Sequence, residues 1–250
     1  MQIIDINCAI GEPMRSKRFS TAQGLVQWLD KYQIGCGLAY HSEAMREPEM
    51  GNGLMVEAAA ASAGRLKTCL ALNPSLESLG IPGVGSPLER LKKLRPSAVR
   101  IFPGEQLYPF DPFYAGEILE VCQQLRLPLI VDCPYDNPFL SQLPNVCREF
   151  PDAPIILLRF LYNRSRQYMP ILKKLPNVYL EMSTHVDAGG MEETVRRFGS
   201  EHLLFGSGLP VYEPSGALGL LLYAQISDAD RENIASGNFL RLEGGIRYDD

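Results

Sequence analysis

The chain has 250 residues, of which 46% are hydrophobic and 21% are charged. These proportions predict one soluble globular domain whose core is large enough to fold without a disulfide or metal staple. The net charge of −5, from 24 basic and 29 acidic residues, is spread along the chain, whereas nucleic-acid binding needs a basic patch. The N-terminal segment lacks the pattern of a secretory leader, and no run of about 18 apolar residues occurs. We therefore expect a cytoplasmic protein whose partner is neither nucleic acid nor a membrane.

Eight short apolar runs bounded by turn residues predict eight strands. They start roughly 23 to 34 residues apart, which leaves room for one helix between neighbouring strands. The predicted strands are Ile3–Ala9, Ile34–Tyr40, Lys67–Leu72, Ala98–Phe102, Pro128–Cys133, Pro154–Arg159, Val178–Ser183 and His202–Ser207.

The segments between these strands carry helical patterns. Apolar residues at helical spacing predict a helix around Leu25–Tyr32, with Ser20 and Gln23 placed like a capping box. Ser227, three residues before Asp230, predicts the cap of a last helix through Ala235. The other predicted helices are Asn52–Gly64, Pro87–Leu94, Ile118–Leu125, Leu140–Phe150, Tyr168–Leu175 and Met191–Phe198.

Strands that are apolar on both faces and alternate with helices imply a parallel sheet covered by helices. Eight such units within 250 residues favour an α/β fold of the (β/α)8 TIM barrel type over an open doubly wound sheet. No linker or break in composition divides residues 1–250, so we predict a single domain. In such a barrel the chemistry lies at the carboxyl ends of the strands.

The six cysteines form no CxxC pair and stand mostly within apolar runs. In a reducing compartment this pattern is typical of small buried core residues, not of a disulfide framework or a zinc ribbon. The cysteines are Cys8, Cys36, Cys69, Cys122, Cys133 and Cys147.

Alternation along each strand predicts which side chains face the lumen of the barrel near those carboxyl ends. They are Asp5, Asn7 and Ala9 of the first strand, Arg100 and Phe102 of the fourth, Asp132 of the fifth, Arg159 of the sixth, Glu181 and Ser183 of the seventh, and Ser207 or Gly208 of the eighth.

Nearly end to end, the sequence resembles the amidohydrolase-related metal-dependent hydrolases, close to the branch that also holds decarboxylases and lactonases. The resemblance rests on IIDINCAIG at the start, on PLIVDCP, FPDAPIILLRF and NVYLEMS in the middle, and on EETVRRFGSEHLLFGSGLP. The ending ISDADRENIASGNFLRL is similar to the last helix of that family.

The sequence departs from the family at the positions where the resemblance implies metal ligands. The family's first strand typically reads D-x-H-x-H, and its two histidines fall here on Asn7 and Ala9. The histidines near the ends of the fifth and sixth strands fall on Asp132 and Arg159, and the aspartate of the eighth strand falls on Gly208. All five positions are changed.

The composition supports the same conclusion without the family. A catalytic zinc site needs about three converging histidine or carboxylate ligands, and the chain has three histidines, in no HxH or HExxH motif. A guanidinium such as that of Arg159 would repel a divalent metal. We therefore expect no metal and no other cofactor, although Asp5, Asp132 and Glu181 leave a water-mediated Mg²⁺ site as an alternative.

Two interpretations of Arg159 stay open at this stage. In the first, Arg159 forms a buried ion pair with Asp132 or Asp5 and fills the former site. In the second, Arg159 replaces the metal as a fixed cation and, together with Arg100, binds a carboxylate or phosphate. Asp132 or Glu181 would then act as a general base.

Other residues are weaker candidates. His185, on a loop after the seventh strand, is a candidate acid or base, and Tyr40 and His41 follow the second strand and are predicted to line the mouth of the barrel. Cys133 is a candidate nucleophile, although alternation directs it towards the helices.

Three functions are compatible with these residues. The first is an amidohydrolase-like barrel that has lost the metal site and binds a small, anionic molecule. The alternative is a metal-independent hydrolase, of the lactonase or ester-cleaving type, that uses Asp132 and Glu181 with Arg159. The third is a scaffold or a subunit of a homo-oligomer whose barrel mouth is closed by side chains.

Overall fold

Eight parallel strands form one sheet in which spatial order follows chain order from β1 to β8. The computed structural model describes residues 1–12, 21–132, 138–159, 165–185 and 187–249. The strands are β1 (Ile4–Ile10), β2 (Cys36–His41), β3 (Leu66–Ala71), β4 (Ala98–Ile101), β5 (Leu129–Asp132), β6 (Ile155–Leu158), β7 (Val178–Glu181) and β8 (Leu203–Leu204).

The sheet closes because the chain after β8 pairs with β1. The amide of Ile6 donates to the carbonyl of Phe205 at 3.1 Å, and the amide of Ala9 donates to the carbonyl of Leu209 at 2.8 Å. The predicted single-domain (β/α)8 barrel is therefore confirmed. The strand β8 is shorter than the predicted His202–Ser207, since the amide of Phe205 donates to Ile234 in the C-terminal helical segment instead of to a strand.

Helices cover the outside of the barrel between successive strands. A 3₁₀ turn at Ser42–Met45 joins β2 to the next helix, and a π-helical turn at Asn233–Gly237 lies between the last two helices. The helices are α1 (Ala22–Lys31), α2 (Pro48–Ala61), α3 (Pro87–Leu94), α4 (Pro112–Leu125), α5 (Pro138–Glu149), α6 (Ser165–Lys174), α7 (Gly190–Phe198), α8 (Ser215–Tyr223), α9 (Asp228–Glu232) and α10 (Asn238–Gly244).

The helix caps follow the sequence with one correction. The N-cap of α1 is Thr21, whose hydroxyl accepts from the amide of Gly24 at 3.1 Å, whereas Ser20 lies outside the described residues. Ser227 caps α9 as predicted, with the amide of Asp230 donating to its hydroxyl. The helix α2 begins four residues before the predicted Asn52, at Pro48, because proline suits the first helical position.

The apolar core has two main layers and a third, small cluster of Ala44, Ala71 and Phe102. A large layer fills the space between the sheet and the helices, and a smaller cluster fills the lower half of the barrel interior, near the amino ends of the strands. Five of the cysteines are free and buried, as the sequence predicts. Within the described ranges, no helix combines the length and the apolar character needed to cross a membrane.

Candidate functional site

A cavity of about 440 Å³ opens at the carboxyl ends of the strands. Its wall comes from strand ends and from the loops after β1, β2, β4 and β8. All five positions at which the resemblance implies a metal ligand line this cavity: Asn7, Ala9, Asp132, Arg159 and Gly208.

Asp132 stands at the floor of the cavity between two arginines on the neighbouring strands. Arg100 is the third residue of β4, Asp132 is the last residue of β5, and Arg159 directly follows β6. The Nη2 atom of Arg100 lies 2.5 Å from Oδ2 of Asp132, and Nε of Arg159 forms an ion pair with Oδ1. The prediction that Arg159 pairs with a lumen carboxylate is thus confirmed, and Arg100 shares the same partner.

Arg100 is held by polar and aromatic contacts together. Its Nη1 donates to Oδ1 of Asn7 at 3.1 Å. Its guanidinium carbon lies 4.4 Å from the ring centroid of Tyr40 and 5.0 Å from that of Phe102, which are cation–π distances. Burial alone would lower the pKa of Arg100, but the charge of Asp132, the hydrogen bond to it and the nearby Tyr40 together raise that pKa. Arg100 is therefore a permanent cation with a fixed orientation.

Arg159 lies nearer to solvent and contacts a second carboxylate. Its Nη2 atom donates to Oε1 of Glu105 at 2.9 Å, in the turn after β4. Burial would lower the pKa of Arg159, but Asp132 and Glu105 together raise it. The residue has a φ of 59°, an uncommon left-handed conformation for a residue with a side chain, which persists where the surrounding structure fixes it.

Glu105 is a site residue that the sequence analysis missed. A signal was present, because the residue follows the end of β4 by four positions and the loops after the strands build the site in this fold. An acidic residue in a turn is usually solvated, however, so its sequence context gave no reason to place it against Arg159.

Glu181 lies beneath the cavity and does not line it. Its carboxylate accepts from the amide of Ser183 at 2.7 Å and from the hydroxyl of Ser183 at 2.9 Å, and Nδ2 of Asn7 lies 3.5 Å away. Burial raises the pKa of Glu181 to about 7. Asn7 therefore connects this carboxyl group to Arg100 and the floor of the cavity.

The prediction that Asp5 faces the lumen together with Asn7 and Ala9 is wrong. The pairing of β1 with β2 shifts register between Asp5 and Cys8, and a bulge of this kind breaks alternation. The carboxylate of Asp5 accepts from the amide of Ser207 at 3.0 Å and from the Ser207 hydroxyl. Burial raises its pKa. Asp5 is fully buried and ties β1 to the chain after β8, away from the ligand-accessible wall.

The remaining candidates are brought together only in part. Tyr40 lines the cavity as predicted. His41 instead caps the 3₁₀ turn, where its Nδ1 accepts from the amide of Glu43 at 3.2 Å, and burial lowers its pKa. His185 is buried edge-on against Tyr168, with 5.2 Å between ring centroids, and is absent from the cavity wall. Cys133 lies outside the described residues.

The donor set at the cavity floor does not fit a divalent metal. Among the residues that the structure describes, no three His, Cys, Asp or Glu side chains converge as metal ligands would. Both oxygens of Asp132 face guanidinium groups, and two cations at that distance repel a third. What the floor does offer is a set of fixed N–H donors, which suits an anionic or strongly hydrogen-bonding ligand.

The sequence also matches a known family. The family model described as Amidohydrolase matches residues 40–242, more than half of the chain. No curated protein matches the sequence significantly.

Solved structures share the barrel at low sequence identity. The 5-carboxyvanillate decarboxylase of Sphingomonas paucimobilis superposes with a TM-score of 0.74 at 15% identity, covering 98% of this chain and 99% of that one. A dihydroxybenzoic acid decarboxylase from Polaromonas sp. JS666, with bound manganese and 2-nitroresorcinol, gives 0.74 at 16%, covering 97% of each chain. A probable 2-pyrone-4,6-dicarboxylic acid hydrolase from Acinetobacter baumannii, with citric acid bound, gives 0.70 at 14%, covering 98% of this chain and 100% of that one. Such identities establish the fold alone.

Proposed function

The chain belongs to the amidohydrolase family, and we propose that it binds a small carboxylate ligand at the strand ends through arginines in place of a metal. The observation that carries this proposal is the convergence of Arg100 and Arg159 on Asp132 at the floor of the cavity. The family's metal positions thus border a site whose fixed charges come from guanidinium groups. Guanidinium groups bind carboxylates with paired, charge-assisted hydrogen bonds.

The shape of the cavity supports a small ligand. A volume of about 440 Å³ lies within the range of roughly 300 to 1,000 Å³ for small-molecule sites. Tyr40, Phe102 and Tyr212 contribute apolar wall beside the charged floor. The structural relatives carry or act on small acids, according to their names, and this agrees with the proposal without assigning a substrate.

Calorimetric titration tests the proposal directly. We expect 2,6-dihydroxybenzoate or citrate to bind the wild-type protein and Arg159→Met to weaken that binding about tenfold or more, as the loss of a charged hydrogen bond does. Arg126→Met is the matched control, because Arg126 pairs with Asp152 on the surface away from the cavity. Equal affinity in the wild type and Arg159→Met would refute the role of Arg159.

Metal-independent hydrolysis is the second candidate, with Glu181 acting through one intervening water, because its carboxylate does not line the cavity. Its raised pKa of about 7 is suited to a general base that works near neutral pH. Both oxygens of Asp132 are engaged by arginines, so Glu181 is the carboxylate to which this candidate assigns the role. If the protein cleaves lactones or esters, its rate should rise with pH through about 7 and Glu181→Gln should abolish it. Binding without turnover supports the first candidate.

The proposed cytoplasmic location has separate support. Cys8, Cys36, Cys69, Cys122 and Cys147 are free and buried, which is the usual state of cysteines in a reducing compartment. Non-reducing and reducing gel mobility of the protein isolated from cells with blocked thiols should be identical.

A further inference from the structure

Two carboxylates contact Arg159, and they differ in how firmly they are held. Asp132 has a side chain that is only 6% exposed and is paired with both arginines. Glu105 has a side chain that is 33% exposed and lies in an exposed turn after β4. If the ion pair of Glu105 opens, water can solvate its carboxylate. If the ion pairs of Asp132 opened, its carboxylate would be a buried charge without a compensating partner in the floor.

The charges that the structure describes at the floor balance. Among the described residues there, Arg100 and Arg159 contribute two positive charges, and Asp132 and Glu105 contribute two negative charges. An incoming carboxylate that is simply added would leave a net negative charge beside a buried ion pair. An incoming carboxylate that takes the place of Glu105 leaves the balance unchanged.

We infer that Glu105 is an exchangeable counter-ion of Arg159, which a ligand carboxylate displaces, and that the site therefore selects monocarboxylates. This inference rests on the proposed function and specifies the ligand class of that same site. Asp132 stays in place and keeps both guanidinium groups oriented. Glu105 turns outward to solvent, and the ligand accepts a hydrogen bond from the Nη2 atom of Arg159.

Binding of two probes to matched variants tests the exchange. Glu105→Gln and Glu105→Ala should bind 2,6-dihydroxybenzoate, a monocarboxylate, about three- to tenfold more tightly than the wild type, because no internal carboxylate competes for Arg159. Glu43→Gln is the control. It removes the same charge from the same cavity wall without contact to Arg159, and its affinity should stay within about twofold of the wild type. The wild type should prefer the monocarboxylate to citrate, and this preference should shrink in both Glu105 variants.

The outcomes separate this inference from the proposed function. Tight binding by the wild type that depends on Arg159 but does not increase in either Glu105 variant overturns the exchange and leaves the proposed function standing. An equal gain in Glu43→Gln also overturns it, because the gain would then come from net charge alone. If neither probe binds the wild type or any Glu105 variant, the proposed function and the exchange fail together.

Discussion

The interior of the barrel has two halves of opposite character. The lower half is filled by Ile4, Ile6, Ile130, Leu204 and other apolar residues and is closed by Phe239 of α10. The upper half holds polar and charged side chains near the carboxyl ends of the strands: Asn7, Arg100, Asp132, Arg159 and Glu181. On β4 and β5 the alternate residues of one short strand supply both halves, with Ala98 and Ile130 below Arg100 and Asp132.

The difference shows that packing alone determines the residue type in the lower half but not in the upper half. Apolar side chains fill the lower half as they do in other barrels of this type, so those residues need only the right volume. Charges in the upper half must each have a partner, because an unpaired buried charge costs several kcal/mol. The paired charges of the upper half are therefore the part of the interior that the proposed ligand site explains.

The largest effect is expected from the lower half. Phe239 is 1% exposed in the inner cluster, and Phe239→Ala should lower the free energy of unfolding by about 3–5 kcal/mol through lost burial and a residual cavity. Leu240→Ala, at a neighbouring exposed position, is the control and should cost far less. Urea denaturation measures both; equal effects would mean that Phe239 does not close the barrel.

The upper half should respond almost as strongly when one charge is removed. Asp132→Asn leaves two guanidinium groups without their shared carboxylate and should lower the free energy of unfolding by about 3 kcal/mol or more. The control is Asp152→Asn, which breaks the exposed pair with Arg126 and should cost under about 1 kcal/mol. A small loss in Asp132→Asn would show that the arginines find other partners.

Glu181 should make stability depend on pH. In the folded state its carboxyl group has a pKa of about 7 and stays protonated up to about that pH. In the unfolded state the same group has its ordinary pKa of 4.5 and loses its proton near that pH. The folded state therefore binds more protons between these values, and stability should fall by about 3 kcal/mol as pH rises through them. Glu181→Gln should remove this slope. The difference between the two proteins cancels the contribution of Asp5, whose pKa is also raised. A difference that does not vary with pH contradicts the burial of a titrating Glu181.

The smallest effect on stability is expected at the rim. Glu105→Gln breaks an ion pair between partly exposed side chains and should change the free energy of unfolding by less than about 1 kcal/mol. Thermal or urea denaturation of Glu105→Gln and Asp132→Asn, measured side by side, compares the two losses of stability. A loss as large as that of Asp132→Asn would mean that Glu105 is a fixed part of the floor and cannot exchange.

The sequence predicted the barrel well because the fold depends on periodic patterns. The starts of all eight strands lie within two residues of the predicted ones, since each strand is a compact apolar run between turn residues. The extent of β8 and the interruption of the last helix at Asn233–Gly237 were not predicted. The amide of Phe205 donates to the carbonyl of Ile234 between these two segments, and such a tertiary contact has no pattern in the sequence.

The site was predicted less completely. Arg100 and Asp132 follow from strand alternation and lie together as expected. Arg159 lies with them for another reason: Ile156 and Leu158 are the inward residues of β6, and the left-handed φ of 59° at Arg159 breaks the alternation. Asp5 does not lie with them, because a bulge in β1 cannot be seen in the alternation of the sequence. Loop residues are the hardest: Glu105 reaches the cavity and His185 does not, and neither position follows from a repeating pattern.

The most direct test of the central claim is the affinity of the wild-type protein for 2,6-dihydroxybenzoate, measured by calorimetry in EDTA and again with added Mn²⁺. Arginines at the cavity floor should bind the ligand equally well in both conditions. Binding that disappears in EDTA and returns with Mn²⁺, or no binding in either condition, would contradict the claim that Arg100 and Arg159 have taken the place of the metal.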